Sequence, residues 1–215
     1  MPKSAGEQRA EFDVGIVAVH KAFAEFENAF AIFLLVLLRT DGRMAQAIYF
    51  APNSTEARIN IVNAVVEVGL HYLPEEMVPR FLRQWRGVMK RAGRCREIRN
   101  AIIHGQVMSI GTGRGEKLRL TPLMLDRRRM HPMMKTLIGS GQLPGMSAHD
   151  LLQNAAALDD VTRDVFDSTS VFSHAFARDP EASLQTLLEL EARHPTVGEP
   201  GKPMITQDAQ TRSAE

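Results

Sequence analysis

The chain concentrates residues that can act on phosphates in the stretch REIRNAIIHG, residues 96–105. A histidine titrates near neutral pH, so His104 is a candidate general base or acid for moving the proton of an RNA 2′-hydroxyl. Arg99 is suited to stabilising the charge of a pentavalent phosphate through a forked contact. Asn100 lies four residues before His104, on the same helix face, where it can orient the imidazole or the phosphate. These residue types fit the chemistry of RNA cleavage without a metal ion or other cofactor, and the same types also fit a structural role at the end of a helix.

The helix that carries these residues is amphipathic. At about 100° per residue, an apolar stripe centred on its tryptophan runs along one side. Continued to the end of the helix, this stripe contains Arg96, Arg99 and Asn100. Arginine is rarely buried without a partner, so three arrangements remain open. The helix extends past the core into water, the arginines pair with acids such as Glu25 or Glu27 near the helix C-terminus, or they line a polar cleft.

The spacing of the motif has a consequence for its assembly. Arg99 and His104 are about 140° apart on an ideal helix, so they converge only if the helix ends near His104 or if a second copy completes the site. The apolar stripe also continues beside the motif through Ile102 and Ile103. We therefore expect a homodimer with a two-fold interface next to the motif.

A long helical chain in which RN, three residues and HG end a helix resembles the HEPN superfamily (higher eukaryotes and prokaryotes nucleotide-binding). The signature of that family is an Arg, four to six residues and a His, often with a polar residue directly after the Arg. Arg99, Asn100 and His104 match it. The likeness covers residues 12–178, and a small hairpin after the motif is also similar to uncharacterised bacterial HEPN-like proteins.

The resemblance implies an activity and partners. HEPN proteins are commonly metal-independent endoribonucleases, with an active site where two copies of the motif meet across a dimer. The resemblance therefore implies RNA cleavage to a 2′,3′-cyclic phosphate in a toxin or defence setting, with an antitoxin or a nucleotidyltransferase as a partner. Many members bind nucleotides or partners without cleaving. The alternative is accordingly a non-catalytic module that binds nucleic acid, a nucleotide or a protein.

Basic residues are unevenly distributed along the chain. Residues 80–135 contain 15 Lys and Arg against three acidic residues, a local charge of +12 in a chain of net charge +1. Such a segment favours contact with a polyanion such as RNA. The candidates for nucleic-acid binding are Arg96, Arg127, Arg128 and Arg129. Because the rest of the chain is acidic, a purely structural domain whose basic segment docks on that acidic part is a third interpretation.

Composition limits the remaining classes. The 215 residues include one cysteine, Cys95, which excludes an internal disulfide framework and indicates a reducing compartment. The first residues lack the apolar region of a secretory signal, and the longest apolar run, Ala29–Leu38, is shorter than the roughly 20 residues of a membrane span. We expect a cytoplasmic protein that makes no membrane contact. The seven histidines lack metal-ligand spacing, so no metal site is expected.

Helical periodicity dominates the chain and predicts a mainly all-α fold, an up-and-down helical bundle with a small β-hairpin insertion. Ser54 and Ser147 are expected to cap helices. Helices are predicted at 12–39, 44–50, 55–69, 148–178 and 180–193, with one more from LPEEMVPRF to about residue 104. The domain prediction is a flexible N-terminus at 1–11, a single HEPN-like helical domain at 12–193 with its hairpin at about 106–124, and a disordered tail at 194–215.

Overall fold

A computed structural model of the chain describes residues 4–110, 117–122 and 145–194. Within these ranges the chain forms six α-helices, a short 3₁₀ helix and two strands, which confirms a mainly-α fold with a β-hairpin. In chain order the elements are α1 (Ala5–Leu38), α2 (Gly42–Phe50), α3 (Thr55–Gly69), the 3₁₀ helix (Leu70–Tyr72), α4 (Val78–Ile103), β1 (Gly105–Ile110), β2 (Lys117–Pro122), α5 (Ala148–Phe176) and α6 (Pro180–Arg193). Among the described helices, none is both long and apolar enough to cross a membrane.

Contacts along the helices show that successive helices alternate in direction. α1 and α5 are parallel, because Gly15 packs on Leu151 near their starts and Phe33 packs on Phe172 further along both. α4 is antiparallel to α1, since Trp85 contacts Phe33 whereas Arg99, near the end of α4, lies over Phe23, ten residues earlier on α1. α2 and α6 run back along α1 and α5 respectively. This alternation is the up-and-down arrangement that the sequence predicts.

Aromatic side chains fill the centre of the bundle. The five phenylalanines at positions 26, 30, 33, 81 and 172 are fully buried, and each contributes about 1.5–3 kcal/mol through removal from water. Trp85 packs against Phe33 with ring centroids 5.0 Å apart. Its indole N–H donates a hydrogen bond to the Asn63 side-chain oxygen (2.9 Å), so the polar atom of this buried side chain is satisfied. The core therefore holds α1, α4 and α5 in fixed register.

Side-chain caps fix the starts of several helices. The Ser54 and Ser147 hydroxyls accept backbone N–H groups at the starts of α3 and α5, as predicted. The prediction that residues 1–11 are flexible is wrong from Ser4 onward, because α1 begins at Ala5 rather than at Phe12. Ser4 and Glu7 form a reciprocal capping box, and this pair was visible in the sequence as SAGE.

The hairpin follows α4 directly. β1 and β2 pair antiparallel, from Gly105 opposite Pro122 to Ile110 opposite Lys117. A Cβ atom at position 105 would lie 2.5 Å from the carbonyl oxygen of Ala101, so only glycine fits where the chain leaves the helix. The backbone of Leu120 exchanges two hydrogen bonds with Met146, just before α5. Residues 111–116, which include the predicted turn of the hairpin, and all of the predicted tail at 194–215 except His194 lie outside the described residues.

Candidate functional site

The helix that carries the motif ends where the sequence predicts. Ile103 is the last residue of α4, and His104 takes a non-helical conformation (φ −98°, ψ 9°) while its N–H still donates to the Asn100 carbonyl oxygen. The His104 side chain is exposed to solvent. Arg99 and His104 can converge if the helix ends near His104 or if a second copy completes the site. The first of these conditions is met within a single chain.

Arg99 is half-buried and carries a charge that no acid neutralises. Its guanidinium group lies over the Phe23 ring, 5.3 Å from the centroid, and donates to the Asn100 side-chain oxygen at 3.1 Å. Within the described ranges it makes no salt bridge, whereas most other half-buried arginines do. A fixed guanidinium without an acidic partner is suited to binding an anion.

Arg96 is paired, although with neither of the acids expected from the sequence. It lies 3.1 Å from the carboxylate of Glu56, in the first turn of α3. Glu27 instead binds Arg58, and Glu25 lies 3.9 Å from Lys21 on its own helix. Glu25 and Glu27, the examples of acidic partners that the sequence suggested, therefore form no salt bridge with the motif in the described structure, because both pair with other cations.

The motif residues line a polar cleft between the start of α3 and the last turns of α4. This cleft has a volume of about 380 Å³, within the range of small-ligand sites. It is lined by Asn53, Ser54, Thr55, Glu56, Arg58, Arg96, Glu97, Arg99 and Asn100. Two of the three arrangements that the sequence left open occur together, because Arg96 is paired with an acid while Arg96, Arg99 and Asn100 all line a polar cleft.

Arg58 forms the fixed back of the cleft. Its Nε donates to the Pro52 carbonyl oxygen at 3.1 Å, and its terminal nitrogen binds the half-buried Glu27 carboxylate. The guanidinium also lies over the Phe50 ring, 5.1 Å from the centroid. These contacts hold the Arg58 guanidinium in one position, so the back of the cleft does not need to reorganise when a ligand enters.

His104 lies next to the cleft and is not among its lining residues. Arg96, Asn100 and His104 follow one another at four-residue steps, about 6 Å each along α4. Asn100 accepts from Arg99, and no hydrogen bond joins its side chain to the His104 imidazole in the described structure. Asn100 therefore orients the guanidinium of Arg99 in a single chain, and the predicted contact with the imidazole is not present.

The two isoleucines beside the motif differ in exposure. Ile102 is buried at 6% relative exposure, whereas Ile103 is 41% exposed, although both fall on the predicted apolar stripe. Met108, on the following strand, is also exposed. The stripe therefore ends as core at Ile102, and two exposed apolar side chains, Ile103 and Met108, lie within four residues of His104 along the chain.

The three other arginines predicted to bind nucleic acid, Arg127, Arg128 and Arg129, lie outside the described residues.

Cys95 is buried, and burial raises the pKa of its thiol to about 11, which excludes a reactive thiolate near neutral pH. In the ranges 4–110, 117–122 and 145–194, no three His, Cys, Asp or Glu side chains form a group that could hold a metal ion.

Five residues that line the cleft were not predicted from the sequence, namely Asn53, Thr55, Glu56, Arg58 and Glu97. Ser54 was recognised as a helix cap, so the position of this turn along the chain was known. Which residues of α4 it faces depends on packing between distant segments, and a single sequence contains no signal for that register.

A second ionic cluster joins α4, α5 and α6. The carboxylate of Asp164 is 1% exposed, and it lies 2.9 Å from the His194 imidazole and 3.8 Å from Arg193. Arg91 binds the same carboxylate from α4. A small pocket of about 220 Å³ adjoins the cluster. Since one buried carboxylate contacts three basic side chains, this cluster ties the three helices together.

No protein-family model matches the chain, and no curated protein or solved structure matches it either.

Proposed function

We propose that this protein is a metal-independent endoribonuclease whose composite site lies at the interface of a homodimer. The observation that supports it most is the open cleft containing Arg99 and Asn100, with the exposed His104 one helical step further along α4. An arginine without an acidic partner and an exposed histidine next to it are the groups that RNA cleavage through the 2′-hydroxyl requires.

The proposed reaction assigns one task to each group. The 2′-oxygen attacks the adjacent phosphorus, a 2′,3′-cyclic phosphate forms, and the bond to the 5′-oxygen of the next nucleotide breaks. One His104 accepts the proton of the 2′-hydroxyl, and the His104 of a second copy protonates the departing 5′-oxygen. Arg99 binds the phosphate oxygens, where negative charge increases in the transition state. Arg96 holds the strand through a neighbouring phosphate.

The position of His104 outside the cleft supports the proposed dimer. A second copy packed on the exposed side chains of Ile103 and Met108 would bring its own His104 towards the first motif. Light scattering at micromolar concentration should give the mass of a dimer, and Ile103→Asp should shift the mass towards a monomer. A monomeric wild-type protein that still cleaves RNA would exclude the composite site.

The decisive experiment is cleavage of single-stranded RNA in EDTA. Wild-type protein should release fragments ending in a 2′,3′-cyclic phosphate, and His104→Ala should lower the rate by about 100-fold or more. The control is His20→Ala, which removes another exposed histidine from α1. If His104→Ala cleaves as fast as His20→Ala, the ribonuclease proposal fails.

A non-catalytic module that binds nucleic acid, a nucleotide or a protein partner is the second candidate. It is favoured because the residues of a single chain line the whole cleft and His104 is not among them. A wild-type protein that binds RNA with a steep salt dependence but leaves it intact would select this candidate. Replacing Arg127, Arg128 and Arg129 with Ala should then weaken binding to all RNA sequences alike.

Coexpression with a neighbouring antitoxin or nucleotidyltransferase gene tests the partners that the family resemblance implies.

A further inference from the structure

The two ion pairs of the cleft differ in how firmly they are held. Arg58 and Glu27 are both at least four-fifths buried and belong to the fixed back of the cleft. Arg96 binds Glu56, whose side chain is 69% exposed and has no other partner among the described contacts. The second pair lies at the mouth of the cleft, where solvent reaches the carboxylate. The Arg96–Glu56 ion pair can therefore separate without leaving the Glu56 carboxylate both buried and unpaired.

We propose that the mouth of the cleft is a phosphate subsite for an RNA strand, and that the Glu56 carboxylate occupies the place of the phosphate in the free protein. This inference rests on the proposed function, since it names how the same cleft receives its ligand. On binding, Arg96 exchanges the carboxylate of Glu56 for a phosphodiester oxygen pair. Glu56 turns into water, and Arg96 remains paired throughout.

The similar chemistry of a carboxylate and a phosphodiester supports this exchange. A guanidinium presents a planar fork that accepts a carboxylate or a phosphate in the same geometry. Arg99 lies about one helical turn from Arg96 and forms no salt bridge in the described part of the chain, so it is available for the adjacent phosphate of the same strand. Three acids balance the charges of three arginines at the cleft, so the net charge of the free cleft is close to zero. The acids are Glu27, Glu56 and Glu97, and the arginines are Arg58, Arg96 and Arg99. An incoming anion is therefore bound more favourably once Glu56 has moved away.

The test is a substitution that should strengthen binding. Glu56→Gln keeps the shape of the side chain and removes the competing charge. We expect it to bind a short, uncleavable 2′-O-methyl RNA about two- to fivefold more tightly than wild type, which corresponds to release of one exposed ion pair. The control, Glu181→Gln, removes the same charge from the first turn of α6, a helix that does not line the cleft. Its affinity should equal that of wild type.

A second variant separates this subsite from a general effect of charge. In the Arg96→Gln background, Glu56→Gln should give no gain, because the group for which it competes is absent. A gain that persists there overturns the proposal, and so does a Glu56→Gln affinity equal to that of Glu181→Gln.

Inorganic pyrophosphate, titrated by calorimetry at low ionic strength, distinguishes failure of the subsite from failure of the function. Tighter RNA and pyrophosphate binding by Glu56→Gln supports the subsite. Tighter pyrophosphate binding without any RNA binding overturns the assignment to RNA together with the proposed function. RNA binding that Glu56→Gln leaves unchanged overturns the subsite alone. Absence of binding to both ligands overturns both.

Discussion

Two clusters of arginine and acidic side chains differ in how far water reaches the acid. At Asp164, a single carboxylate is 1% exposed and contacts basic groups from α4 and from the end of α6. In the cleft between α3 and α4, the acid that faces Arg96 is mostly exposed, and Arg99 forms no salt bridge with any acid of the described ranges. Both clusters include arginines of α4, about one or two helical turns apart.

The difference in burial separates a structural role from a binding role. A buried charge must keep its partners, because exposing or unpairing it costs several kcal/mol. An exposed ion pair contributes little to stability and can be exchanged for a ligand. The Asp164 cluster therefore joins helices, whereas the cleft keeps its guanidinium groups available. Three substitutions test this contrast through the free energy of unfolding in urea.

Asp164→Asn should have the largest effect on stability. It removes the acid shared by Arg91 and His194, whereas Arg193 keeps its ion pair with Asp167, and the Nε of Arg91 is already buried without a hydrogen-bond partner among the described residues. We expect a loss of about 3 kcal/mol. The control is Asp160→Asn on the same helix, an exposed acid paired only with Arg163, which should change stability by less than about 0.5 kcal/mol. Equal losses in both variants would contradict a structural role for the cluster.

Glu27→Gln should have an intermediate effect, since it uncouples the half-buried Arg58 at the back of the cleft. The expected loss is about 2 kcal/mol, the cost of leaving a partly buried charged donor without its acceptor. Glu25→Gln, two residues earlier on α1, removes an exposed acid 3.9 Å from Lys21 and is the matched control. If the two variants unfold at the same urea concentration, the back of the cleft is not held by this pair.

Arg96→Gln should have the smallest effect on stability. The acid of its ion pair, Glu56, is 69% exposed although the Arg96 side chain is only 28% exposed, so the loss should stay within about 1 kcal/mol. Arg91→Gln, five residues earlier, is the contrasting variant, because it removes a partner of the buried Asp164. A loss above about 2 kcal/mol for Arg96→Gln would make Arg96 part of the framework and would remove the contrast between the two clusters.

Local signals in the sequence were sufficient for most of the fold. The caps at Ser54 and Ser147, the end of α4 at His104 and the hairpin after it follow from short-range hydrogen bonding and periodicity, and the structure contains all of them. The start of α1 was missed although its capping box at Ser4 is equally local. The apolar periodicity begins only at Phe12, whereas the capping box of Ser4 and Glu7 marks the actual start of the helix.

The cleft could be predicted only in part. The helical wheel placed Arg96, Arg99 and Asn100 together on one side of α4, which the structure confirms. It could not supply Arg58 or Glu56, because these residues meet α4 through packing of segments some 40 residues apart along the chain. The wheel also placed Ile103 in the stripe, but the core ends one residue earlier, and this end depends on where α1 and the hairpin lie.

The most direct test of the cleft as an RNA site is the affinity of Arg99→Gln for a short, uncleavable 2′-O-methyl RNA. Arg163→Gln is the control, since it removes an equal charge from an exposed position on α5. If Arg99 contacts a phosphate, Arg99→Gln should bind about tenfold more weakly than the control, and its affinity should depend less steeply on salt. Equal affinities and equal salt dependence for the two variants would contradict the assignment of the cleft to RNA.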